Sequence, residues 1–224
     1  MQKLLYYYFN AEVAERYIGP LMQGFWLTLE MALLIILLGL ALGVLLALLR
    51  AFQIRPLGWL IIFFSDLFRA LPPLVIIVLV YFALPYGGIR LGSFTSTVLS
   101  LSLVLAAFAH EIVYAGIASV HRGQWEAARS TGLGFLATLL YVVMPQALRL
   151  SVAPLTNRTI AITKGTALGS VIAVQEILNI AGSAQSSAAN PTPLMMGACL
   201  YLVIFAPMIV ASRWIERRFG WSHL

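Results

Sequence analysis

Asp66, Arg69, His110, Glu111 and Lys164 are ionisable residues that fall inside stretches otherwise fit for lipid. A charge in the bilayer core is costly and is kept where it pairs or meets cargo, so these positions are candidates for a transport pathway. Asp66 and Arg69 stand three apart on one helical face, the spacing of an ion pair. His110 alone reads as a hydrogen-bonded interior residue. Covalent chemistry is poorly served, with no nucleophile–base pair, no zinc-ligand spacing and no second His near His110. The phosphate-cradling Gly-x-x-x-x-Gly-Lys-Ser/Thr loop is also missing, so the chain is not expected to hydrolyse ATP. What remains is charge recognition.

A second concentration of polar residues lies between apolar segments, from His121 to Leu155. Arg122, Glu126 and Arg129 within eight residues must face water or another protein. The stretch reads as two short helices, Gln124–Ser130 and Phe135–Val143, joined by a turn in which Gly132 and Gly134 suit the left-handed conformation. A helix this short does not persist alone in water, so something holds it. An exposed Trp125 would suit a partner's pocket.

These residues resemble a known pattern. Glu126-Ala127-Ala128, Gly132 four residues on and then Met144-Pro145 resemble the EAA loop of ABC importer permeases. The flanking His121–Trp125 and Pro145–Arg149 resemble the polar amino-acid branch, the histidine, glutamine and glutamate type of binding-protein-dependent permease. Phe68-Arg69-Ala70-Leu71-Pro72 is similar to that family's Phe-Arg-Gly-Thr-Pro signature, and Ala107–Ile112 to its Ala-Tyr-x-x-Glu-Ile element. Thr163–Leu168 resembles its Lys-Asp-Thr-Ser-Leu stretch. There are departures: Tyr114 stands where the family usually has Arg, and Gly165 where it has Asp. The resemblance implies that Gln124, Trp125, Glu126, Ala127, Ala128, Arg129 and Gly132 dock on an ATPase. It also makes Arg69, Pro72, Glu111, Tyr114, Lys164 and Thr166 candidate pathway residues, with Lys164 and Glu111 able to pair.

Those groups need elements to hold them, and composition says which. The 224 residues are 61% hydrophobic and 10% charged, with a mean hydropathy of +0.93, against roughly 25% charge in ordinary soluble domains. The expected fold is all-α, a polytopic membrane protein with five transmembrane helices and the type I ABC importer permease fold. Residues 1–20 form an interfacial segment, with Tyr6, Tyr7, Tyr8 and Phe9 suited to an aromatic belt. Residues 21–218 form one transmembrane domain. Its spans run at about Leu21–Leu49, Leu57–Pro85 (broken at Pro72-Pro73), Phe94–Val120, Leu155–Ile180 and Leu194–Ala211. Residues 181–193 read as an outer loop, and Gly165 and Gly169 as a small-residue packing face. Cys199, the single cysteine, reads as a buried packing residue. No cleavable signal peptide is expected.

The net charge of +6 fits a positive-inside bias better than nucleic-acid binding. With the 121–158 loop inside, nine Arg fall on that side (Arg50, Arg55, Arg122, Arg129, Arg149, Arg158, Arg213, Arg217 and Arg218) and Lys3, Arg16 and Arg90 on the other. This puts the N-terminus in the periplasm and the C-terminus in the cytoplasm of a multi-pass protein of the bacterial inner membrane. The resemblance implies these partners: two ATP-binding cassette subunits carrying ATP and Mg, a second permease of the same or a homologous chain, and a periplasmic or lipid-anchored solute-binding protein. The cargo is a polar amino acid or a derivative such as an opine. This chain is expected to bind no cofactor. The rival readings are an ion-coupled secondary transporter using Glu111 and Lys164, or a membrane scaffold.

Overall fold

The computed structural model describes residues 7–219. Lys3 and Tyr6, and the side chains of Glu216 and Arg218, lie outside the described residues. The described residues are helical with short connections. Helix α1 (Ala11–Ala51) is capped by Asn10, whose side chain accepts from the backbone of Glu12 and Val13. At 41 residues it is about 60 Å long, twice the bilayer core. The cap starts it ten residues before the expected span.

Helix α1 runs alongside α4 (Ser93–Ser119), the most buried helix. Their approach depends on Gly39 and Gly43. A Cβ at Gly39 would lie 2.8 Å from Leu105, and one at Gly43 only 2.5 Å from the Cβ of Ala109. This is the close backbone contact that small residues at four-residue spacing allow in lipid. Gly116 does the same two turns further along α4, against Ala147 and Ser151. The expected small-residue face at Gly165 and Gly169 also packs on α4, against Leu101 and Thr97.

The second span is not one rod. Helix α2 (Arg55–Ala70) and α3 (Pro73–Phe82) meet at 104°. Leu71 and Pro72 between them are extended, because Pro73 disfavours the helical state in its predecessor and neither proline donates a hydrogen bond. Four helices are long and apolar enough to cross a membrane, or five if this bent pair counts as one span.

Four expectations change beyond α4. Helix α5 (Arg122–Ser130) forms as expected. The second short helix, however, does not stop at Val143. Helix α6 (Phe135–Thr138) passes through a wide turn at Leu139–Val143 into α7 (Met144–Thr163) and a tighter 3-10 stretch, Lys164–Ile172. Pro145 cannot donate to the preceding turn, and the widened winding absorbs that loss. The fourth span therefore starts near Phe135 rather than Leu155. Residues 181–193 are not a loop, because α8 (Ile177–Ala188) covers much of them, and α9 (Thr192–Phe219) follows. Cys199 on α9 is exposed rather than buried.

Candidate functional site

The membrane-level charges gather where α1, α2 and α4 converge. Arg50, in the last turn of α1, reaches Glu111 on α4 at 2.8 Å. Arg69 on α2 lies 3.7 Å from the other carboxylate oxygen and 3.8 Å from Asp66. The fully buried His110 has one ring nitrogen 2.6 Å from Ser65 Oγ and the other 3.3 Å from Arg50. Because Arg50 only donates, the nitrogen facing it accepts, and the Ser65-facing nitrogen carries the proton. Three helices are thereby tied by one polar node. Each hydrogen bond involving a charged group contributes about 1.5–3 kcal/mol.

Tyr114 clarifies a departure from the family pattern. The guanidinium of Arg50 lies 3.9 Å above the Tyr114 ring and parallel-stacked near it is the His110 imidazole, at 6.2 Å between centroids. The cation beside Glu111 is thus supplied by α1, one helix over from position 114. Arg69, Glu111 and Tyr114 are brought together as the sequence suggests, and Pro72 shapes the bend just beyond Arg69. Lys164 is not part of the node. Glu111 pairs with Arg50 and Arg69 instead, while Lys164 is exposed and borders an apolar groove of about 520 Å³ with Tyr201 and Phe205. Thr166 is fully buried, and its hydroxyl has no partner among the described residues.

Sequence reasoning missed two charged positions. Arg158 was expected in an aqueous loop, but the longer fourth span carries it inside the helix, 4.0 Å above the Phe108 ring. Arg69 lies 5.6 Å from the same ring. Phe108 sits about 22 Å along α4 from Ser93 and about 16 Å from Ser119, well away from both ends. A cation–π contact contributes about 0.5–2 kcal/mol, less than the roughly 2.5–3.5 kcal/mol that a charge at this depth costs. Arg158 has no carboxylate partner among the described residues.

The second missed residue, Glu176, is fully buried. Its carboxylate caps α8 by accepting from the backbone of Leu178 and Asn179, and it also accepts from the Tyr201 hydroxyl. It holds the end of the fourth span against α9. A lone acid in an apolar run was its only sequence signal.

Helix α5 is held differently. Trp125 is half-buried and points inward, so the expectation of an exposed anchor for a partner is corrected. Its indole stacks on Phe135 at 5.6 Å, and Phe135 meets Phe52 at 5.4 Å, just past the end of α1. Ala128 is buried on the same side. The His121 ring caps the start of α5 by accepting from Gly123. Gly132 ends the helix region at φ +91°, a conformation that suits glycine. Gly134 is extended rather than left-handed and leads into α6 instead. Gln124, Glu126, Ala127 and Arg129 remain exposed, together with Arg122. The three charges have no ion pair among the described residues, and Gln124 meets only Gln146, at 3.4 Å.

The chain as a whole is similar to known proteins. The chain is 33% identical to the probable glutamine ABC transporter permease protein GlnP of Bacillus subtilis (strain 168), over 94% of this chain and 98% of that protein. It is 32% identical to the L-cystine transport system permease protein TcyB of the same organism, over 92% and 90%. Among solved structures, an amino acid ABC transporter crystallised with histidines superposes at a TM-score of 0.81 with 30% identity, over 91% of this chain and 95% of that one. The inward-facing MetNI methionine ABC transporter, 20% identical with a TM-score of 0.67, shares the fold over 92% and 96%. A family model matches residues 39–221, and the chain belongs to that family, the binding-protein-dependent transport system inner membrane components.

Proposed function

We propose that this chain is the permease subunit of an ABC importer for a polar amino acid and forms half of the translocation pathway. The observation that carries the reading is α5, anchored inward through Trp125 and Ala128 while Gln124, Glu126, Ala127 and Arg129 face out with their charges unpaired. Such a helix transmits a push. A force on its outer face passes through Trp125 and Phe135 to Phe52, and so to the end of α1, two residues from Arg50 of the Arg50–Glu111 pair. Closure of an ATPase dimer on Mg-ATP would move α5 as a rigid lever and swing the attached helices outward. A solute-binding protein on the other face delivers the cargo, and a second permease copy or homologue completes the pathway.

The relatives' names, glutamine and cystine permeases among them, support an amino-acid cargo. In this reading the loop and C-terminus face the cytoplasm of a bacterium and the N-terminus faces outward, with ATP hydrolysed only on the partner. The test is reconstitution with the ATPase and binding protein in proteoliposomes, scoring uptake across a panel of amino acids. ATP-dependent uptake, with solute-stimulated ATP hydrolysis, is expected. Uptake driven by a proton or sodium gradient without ATP would overturn the assignment.

A further inference from the structure

We propose that Arg158 and Arg69, gathered about Phe108, form a subsite for the second carboxylate of an acidic amino acid, so that the pathway favours cargo of net negative charge. The inference rests on the permease reading above and adds the chemical class of the cargo. It begins with charge accounting. Glu111 is shared by Arg50 at 2.8 Å and Arg69 at 3.7 Å. Among the described residues Asp66 pairs with Arg69, loosely at 3.8 Å, and its side chain is 67% exposed. Arg158 has no carboxylate among the described residues and rests on the Phe108 ring at 4.0 Å. His110 accepts from Arg50 and is therefore neutral in this arrangement. Three guanidinium groups thus face two carboxylates.

That surplus of one positive charge discriminates between cargoes. A zwitterionic amino acid leaves it in place, a basic one adds to it, and an acidic one cancels it. In a medium of low dielectric, such balance weighs far more than in water. The geometry suits the task as well. Phe108 offers a flat wall with guanidinium carbons 4.0 and 5.6 Å from its centroid, and guanidinium groups bind carboxylates in a planar, two-pronged manner. Neither group is covered by the rest of the chain, since Arg158 is exposed and the Arg69 side chain is 37% exposed. The α-ammonium of the same solute finds Glu111 and Asp66 as its counter-charges.

The test uses the purified permease–ATPase complex without its binding protein, so that the selectivity measured belongs to the membrane subunits. Glutamate and glutamine are the probes, because they differ by one charge at nearly constant shape, with arginine as the third. Wild-type complex should bind glutamate roughly 10-fold or more tightly than glutamine, the scale of one charge-assisted hydrogen bond. Arg158→Gln should bring that ratio to about one, and Arg158→Lys should keep most of it. Because the readout is a ratio within one preparation, a fall in the yield of folded complex does not move it.

Equal affinity for the three solutes, binding of none of them, or an unchanged ratio in Arg158→Gln would overturn the subsite. An Arg158 that merely reaches for lipid headgroups gives the unchanged ratio. The permease reading is scored separately by ATP-dependent uptake in the wild type. Uptake restricted to neutral or basic amino acids defeats the acidic subsite alone, whereas no ATP-driven uptake of any amino acid defeats both.

Discussion

Two charge-bearing regions of this molecule treat their charges in opposite ways. Around Glu111 the carboxylates and guanidinium groups of α1, α2 and α4 are partnered within the chain, and a buried His110 seals the junction. On α5, some four turns along the chain, Arg122, Glu126 and Arg129 are all exposed and have no ion pair among the described residues. A pair formed in lipid is needed for the helices to stay together, because each charge left alone there is costly. A charge left unpaired in water costs little and is available to another protein. The first region is thus expected to report on stability, and the second on coupling.

The largest stability effect should follow Glu111→Gln. It removes the carboxylate that Arg50 and Arg69 share and leaves two guanidinium groups opposed. The loss should be about 2–3 kcal/mol, between a charged hydrogen bond and a fully buried broken pair, read as a lower melting point of the detergent-purified chain. If Glu111→Gln melts no lower than Glu126→Gln, the contrast between the regions does not hold. Next comes Trp125→Ala, which takes away the indole between α5 and Phe135. A half-buried aromatic should cost about 2 kcal/mol, less than the full burial value. This variant should lose stability and coupled transport together, since the same stack holds the helix and passes the force.

Position 114 sharpens the comparison further. Tyr114→Leu removes the face on which Arg50 rests and should cost about 1 kcal/mol. Tyr114→Arg should cost more than Tyr114→Leu, although Arg is the residue the family usually carries there, because Arg50 already occupies the space beside Glu111. A Tyr114→Arg chain as stable as the wild type would mean that Arg50 yields its place freely.

That substitution marks where the sequence was legible and where it was not. The amphipathic α5, the break at Pro72-Pro73 and the left-handed Gly132 could be read because each is set by a few adjacent residues. Asp66 with Arg69 was legible for the same reason, being one turn apart. The partners of Glu111 were not, because Arg50 is distant in the chain and only the α1–α4 contact at Gly39 and Gly43 brings it near. Lys164 was matched to Glu111 by depth alone, and depth along a helix does not fix which face a side chain takes. The fourth span was misjudged because Phe135–Val143 was read as a separate short helix, whereas a widened turn let the helix continue. Arg158 was placed in water as a result, and Glu176 went unnoticed because its role is a cap on a helix that the small polar residues after it had disguised as a loop.

The smallest expected change in stability is the most informative one. Glu126→Ala removes an exposed side chain with no ion pair among the described residues, and its stability should stay within about 0.5 kcal/mol of the wild type. Ser130 still donates to the backbone carbonyl of residue 126, a bond the substitution does not touch. Nothing inside the chain is therefore lost. In the assembled transporter, ATP-dependent uptake should nevertheless fall roughly 10-fold or more, as when one charged contact at an interface is removed. Uptake that stays at the wild-type rate would leave the unpaired charges of α5 without a partner to explain them. A matching loss of stability would place Glu126 in the same category as Glu111. The contrast survives only if stability and coupling separate at this residue and fall together at Trp125.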